Sequence, residues 1–268
     1  MLKISIPYIY EFSDTIKKLR NMQDGSPLKE SYYVLYSAEN ALQQFLYGSI
    51  YSEALRATVQ PGAQLLAAIK KLTTSPDKER ALDFLDTWSI NTALAQFETV
   101  LIAEMNTRDA FFVTKKRAYD TTDLIDRAEI LLPDDFVSKI PEAVGDVRQA
   151  GRCLAFEVPT AAGFHMMRAL EHVLRVYFDV ASSGAARPKT NNMGDYLHEL
   201  KEHNWGDEKV CACLKQIKDL HRNELIHPEV TLSLDEALGL WGIVQSAISA
   251  MLPHIPAKEL KLTGETTA

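Results

Sequence analysis

Along most of the chain, apolar residues recur at the three- and four-residue spacing that lines one face of an α-helix. Alternation of period two is confined to two short stretches. The first is residues 2–10, which alternate loosely around Pro7 and read as a short edge strand or an extended lead-in. From Phe12 a brief helix is expected to about Met22, closed by Asp24-Gly25-Ser26-Pro27. A long helical segment then runs from Leu28 to about Val59 and is ended by Pro61-Gly62, with another helix over 63–72. Ser75-Pro76-Asp77-Lys78-Glu79 supplies a start signal, with Pro near the first turn and acidic residues at the positive end of the dipole. The helix expected there carries Leu82, Leu85, Trp88, Leu94, Phe97, Val100 and Leu101 and fades near Asn106. Tyr32, Tyr33, Tyr36 and Tyr47 could form a stacking platform for bases; at this spacing they read first as packing residues of an amphipathic helix.

The second stretch is residues 110–120, where Phe111-Phe112-Val113, a basic turn (Lys115-Lys116-Arg117) and Ala118-Tyr119 predict one small β-hairpin with a solvated turn. Thr121 or Thr122 can cap the next helix, which ends before Pro133. The division of the chain is placed at 133–141, between two prolines: a helical N-terminal region over 1–132 and a bundle over 141–255. In the bundle, 141–158 forms a helix stopped by Pro159, and Thr160 caps the next, which reaches Val180. That helix carries a polar stripe of His165, Arg168, His172 and Arg175 with Glu171 beside it, which reads as an ion-pair network in which Arg168 and Glu171 support each other, or as part of a cleft. A short helix around 194–203 follows, then one beginning near Asp207. Ser233 and Glu236 make a capping box for a last helix that stops at Pro253, and residues 256–268 form a flexible tail. The fold class is all-α, a helical bundle with a helical N-terminal region.

Composition adds constraints. Hydrophobic residues make up 46% of the chain and charged residues 24%, enough for a sizeable core. The formal charge is −7, so a broad nucleic-acid-binding face is excluded and any RNA contact must be local. Three cysteines without CxxC spacing fit a reducing cytoplasm. The first residues do not read as a signal peptide, and no apolar run is long enough to span a membrane, so a soluble cytoplasmic protein is expected. No Gly-rich phosphate loop, metal-spaced cluster or serine nucleophile motif occurs, so neither metal nor cofactor is expected.

One stretch departs from ordinary bundle text. Residues 217–229 crowd Arg222, Asn223 and His227 at a helix end and stop at Pro228. The proline biases His227 to the last turn or just beyond it, near the negative end of the helix dipole. Asn223 lies one turn before His227 and shares its face. Arg222 and His227 would diverge by about 140° in a regular helix and converge only if the helix ends between them. Arginine supplies a planar charged fork for phosphate, and histidine moves a proton near neutral pH. The bland reading pairs Arg222 with Glu171 or Asp219 and leaves His227 capping carbonyls. His221 reads as solvent-facing or as a second proton carrier.

Arg222-Asn223-x-x-x-His227, in the penultimate main helix of a bundle, resembles the Arg, four to six residues, His signature of the HEPN superfamily. The resemblance covers 141–253. It implies a metal-independent endoribonuclease, acting as a homodimer in stress response or phage defence. In that reading His227 is the general base on a ribose 2′-hydroxyl, Arg222 stabilises charge on the phosphate, and Asn223 positions either. Products would be a 2′,3′-cyclic phosphate and a 5′-hydroxyl. Arg168, Glu171 and His172 are placed in or behind the cleft from the polar stripe. The alternative is a non-catalytic scaffold of the same fold that binds a protein partner or a nucleotide.

Overall fold

The computed structural model describes residues 4–222, 225, 227 and 229–257, and among them it is all-α, with two isolated β-bridges and no strand. The chain divides into two units, Met1–Phe111 and Phe112–Ala268, each with its own buried core.

The first unit is built from α1 (Ile6–Lys17), α2 (Leu28–Tyr47), α3 (Val59–Thr73) and α4 (Phe84–Met105). The strand or lead-in expected over 2–10 is not seen from Ile6 onward. Ser5 caps α1 by accepting from the Tyr8 N–H, and Pro7 sits in the first turn, where its missing N–H leaves nothing unpaired. Likewise Pro61 and Gly62 do not end a helix: α2 stops at Gly48, and the pair lies in the first turns of α3. Residues 75–79 do not start one either. The backbone over 78–82 is engaged by the start of α2 and the residues before it, with Lys29 N–H donating to the Lys78 carbonyl at 2.9 Å, Leu28 N–H to that of Arg80 at 2.9 Å and Leu82 N–H to that of Ser26 at 2.9 Å. Asp83 starts α4 instead, through a reciprocal capping box with Asp86.

The core of this unit brings Phe12, Phe45 and Phe97 together, with Ile90 and Leu94 of α4 beside them. The outer side of α4 is also apolar, and Phe84, Leu85, Trp88 and Ile102 are exposed. The packing role expected for the tyrosines fails for Tyr33, Tyr36 and Tyr47, which are exposed; α2 buries Leu28, Leu35, Ala38, Leu42, Phe45 and Leu46 instead. At the far end of α4, the Glu104 carboxylate accepts from the N–H groups of Arg56 (2.6 Å), Ala57 (3.0 Å) and Thr58 (2.8 Å) and from the Thr58 hydroxyl (2.6 Å). Because α3 has no side-chain cap of its own, this carboxylate serves as one from a distance. Burial raises the Glu104 pKa, but the Thr58 hydroxyl and the three N–H donors outweigh it and hold the group at about 2.

The second unit contains α5 (Thr121–Asp126), α6 (Pro141–Ala155), α7 (Pro159–Ala181), α8 (Met193–Glu202), α9 (Glu208–Ile217) and α10 (Leu234–Met251). The junction expected at 133–141 falls inside it. Leu124, Ala128, Leu132, Phe136 and Ile140 are all buried in its core, so Pro133 and Pro141 mark turns within one fold. The hairpin over 110–120 reduces to a single bridge between Lys116 and Tyr119. Its basic turn is solvated at Lys115 and Arg117 but not at Lys116. The Lys116 side chain is 2% exposed and its Nζ donates to Glu157 at 2.6 Å, while Arg117 pairs with Asp235 at 2.5 Å. Asp120, not Thr121 or Thr122, caps α5.

Central to this unit is α7, whose Met166, Leu170, Val173, Leu174 and Phe178 are buried against α6, α8 and α10. Pro159 opens α7 instead of closing the helix before it, and Thr160 is already inside the first turn. Its hydroxyl accepts from the Leu232 N–H at 3.0 Å. The capping box of Ser233 and Glu236 forms at the start of α10 as the sequence predicts. Most of the tail, residues 258–268, lies outside the described residues.

Candidate active site

The Asp207 side chain caps α9 by accepting from the Lys209 and Val210 N–H groups, which starts the motif helix where the sequence places it. After Ile217 the path changes. Lys218–Arg222 form a π-helical turn, in which each backbone bond spans one residue more than in an α-helix. Leu225 is then buried against the second core, and its side chain lies beside Gly163 of α7, where a Cβ would come within 3.2 Å of it. His227, two positions further, is exposed at a bend, and its carbonyl accepts from the Val230 N–H at 3.1 Å. Asn223 and Pro228, named from the sequence, lie outside the described residues.

Arg222 reaches the polar stripe of α7. Its Nε donates to Glu171 Oε1 at 3.3 Å with the side chain 26% exposed, and Arg175 Nη2 stands 3.8 Å from the other Glu171 oxygen. The pairing of Arg222 with Glu171 is the contact that the bland reading anticipates. It is a single long bond, not the bidentate fork that makes such pairs strong. The His227 side chain makes no hydrogen bond or ion pair among the described residues.

Arg168 and Glu171 do not support each other as expected. Arg168 turns to Asp146 of α6, its Nε 3.0 Å from Oδ1. The same oxygen lies 2.8 Å from His165 Nδ1, and His172 Nε2 is 3.8 Å from Oδ2. The stripe is therefore organised on two carboxylates, Asp146 and Glu171. Sequence reasoning named neither Asp146 nor its pairing with His165. A signal was there: Asp146 falls on the same helical face as Ala143, Val147 and Ala150, and a carboxylate on a buried face calls for partners.

Against these two carboxylates stand three guanidinium groups, Arg168, Arg175 and Arg222, and two imidazoles, His165 and His172. On this stripe the three guanidinium groups exceed the two carboxylates by one charge, while Asp219 and Glu229 of the motif segment add negative charge nearby. Among the described residues no group of three His, Cys, Asp or Glu side chains could hold a metal ion. The three cysteines are unpaired and partly buried, and burial pushes their thiols up. No described helix is long and apolar enough to cross a membrane.

Comparison of the chain with protein-family models, curated proteins and solved structures finds no match.

Proposed function

We propose that the second unit is a HEPN-like, metal-independent endoribonuclease, with Arg222 and His227 as its principal residues and Asn223 as their polar neighbour. The observation that supports this most is the landing of Arg222 on the α7 face that carries Arg168, Glu171, His172 and Arg175, while His227 stays exposed. A phosphodiester on this face meets guanidinium groups for its charge and an open imidazole for its proton. His227 takes the proton of a ribose 2′-hydroxyl, the 2′-oxygen attacks phosphorus, and the 5′-oxygen leaves, giving a 2′,3′-cyclic phosphate and a 5′-hydroxyl. Arg222 stabilises the charge that builds on the phosphate oxygens, leaving Glu171 for the substrate as it does so. The homodimeric state and a setting in stress response or phage defence belong to the same proposal and rest on the sequence resemblance, and the cytoplasmic location rests on the cysteine usage.

The test is cleavage of labelled RNA by the purified protein in EDTA, with Arg222→Ala and His227→Ala alongside. Each variant is expected to lose about 10²–10⁴-fold in rate. Cleavage that survives both substitutions refutes the assignment.

One observation favours a second reading. Glu171 already occupies the Arg222 guanidinium, as a structural pair would. A folded wild type that cleaves no RNA favours the scaffold, which binds a protein partner or a nucleotide without turnover.

A further inference from the structure

The outer face of α4 carries a pattern that neither its own core nor the motif site uses. Leu85, Trp88, Thr92, Ala95, Thr99 and Ile102 recur at alternating steps of three and four, the a and d positions of a heptad repeat, and all six are exposed. The core residues Ile90, Leu94 and Phe97 fall on the opposite side of the helix. This helix therefore has two apolar faces, and its own unit covers one of them. Eleven positions between 84 and 103 are exposed, and none is charged. Charged residues make up 24% of the chain and ordinarily crowd onto exposed helix faces, so this face is built to be covered.

A second copy of the same face fits it. Two such helices laid antiparallel about a two-fold axis set each a position against a d position. Leu85 then meets Ile102 of the other copy, Trp88 meets Thr99, and Thr92 meets Ala95. The small pair lies at the centre, where helices crossing at about 20° approach most closely, and the bulky residues lie toward the ends, where they diverge. Charge points the same way. Copies of formal charge −7 repel over most of their surface, and the uncharged stripe lets two of them meet without setting like charges together. Phe84, Leu85, Trp88 and Ile102 are 55–65% exposed. With the smaller residues around them the face offers on the order of 700 Å² per copy, close to the ~800 Å² of a standard interface.

We propose that the exposed face of α4 binds a second copy of this chain, helix against antiparallel helix, making the protein a homodimer through its first unit. The pairing goes beyond the ribonuclease reading, which concerns the second unit, and holds whether or not the protein cleaves RNA.

The experiment is sedimentation of the full chain over a range of concentrations, with the wild type expected to dimerise. Ala95→Glu puts a carboxylate at the centre of the pairing. The position is exposed in the single chain, so the melting temperature of the monomer should hold while the dimer dissociation constant rises by about 100-fold or more. Adding Thr92→Lys to that variant sets each lysine against the glutamate of the other copy and should recover about tenfold or more of the loss. A wild type that stays monomeric up to about 100 µM overturns the proposal. So does a dimer that Ala95→Glu leaves intact, since it pairs through other residues. A Thr92→Lys change that restores nothing refutes the antiparallel register.

Discussion

Glu104→Gln tests whether one carboxylate holds the start of α3. The side chain accepts four hydrogen bonds in the 56–58 turn, and its pKa falls from 4.5 to about 2. Such a displacement corresponds to about 3.4 kcal/mol at 1.36 kcal/mol per tenfold in proton affinity. Water reaches part of this carboxylate and screens it, which leaves about 2 kcal/mol as the expected loss in the amide variant. The folded value lies below the unfolded one, so the stabilisation is complete above about pH 4.5 and disappears as pH falls toward about 2. Hydrogen exchange of the backbone over residues 56–73 reads this locally, without requiring the two units to unfold together. At pH 7 the variant should exchange about 30-fold faster in this stretch, the equivalent of 2 kcal/mol. Near pH 3, after correction for intrinsic rates, the gap between wild type and variant should shrink by about half or more. A gap below about threefold at pH 7, or one of equal size at both pH values, would show that Glu104 does not cap α3 through its charge.

Two further outcomes are expected in the second unit. A Cβ at Gly151 would lie 2.4 Å from that of Ala128 and 2.5 Å from the Leu124 carbonyl oxygen, so Gly151→Ala should destabilise the unit by about 1–3 kcal/mol and lower its melting temperature by several degrees; an unchanged melting curve would contradict the close approach of α6 to α5. Glu171→Gln removes the carboxylate that Arg222 and Arg175 share and should tighten RNA binding by up to about fivefold at fixed salt, since long, partly solvated pairs of this kind contribute about 0.2–1 kcal/mol. Equal or weaker binding by the variant in a filter assay would show that Glu171 does not compete with phosphate.

Local signals carried the sequence reading where they were unambiguous. Asp207 before α9, Ser233 with Glu236 before α10 and the end of α4 at Asn106 each depend on a few neighbouring residues and could be placed without the fold. Proline proved two-faced. Pro7 and Pro159 open helices and Pro61 lies just inside one, yet each reads equally well as an interruption, because the residue suits a first turn as much as it ends a last one. The non-helical path of 75–82 is tertiary in origin, fixed by backbone bonds to 25–29 that no local pattern announces. In the candidate site, the pairing of Arg222 with Glu171 was legible from residue type and spacing. Asp146 was hidden because its role comes from packing α6 on α7, which turns a lone acidic residue into the partner of His165, Arg168 and His172. The pairing of Arg168 with Glu171, inferred from helical spacing alone, lost to that same packing.

The π-helical turn at Lys218–Arg222 makes the motif sensitive to chain length as well as to residue identity. Taking one residue out of the turn would let it relax to α-helical bonding, and because the wider turn absorbs one residue for about the same rotation, Arg222 would keep its direction toward Glu171. Adding a residue to α9 ahead of the turn has no such outlet and would swing Arg222 by about 100°, the rotation of one helical position. The cap at Asp207 and the buried Leu225 fix both ends of this path. An in-frame insertion of a single codon in α9 should therefore damage the site more than a deletion inside the turn.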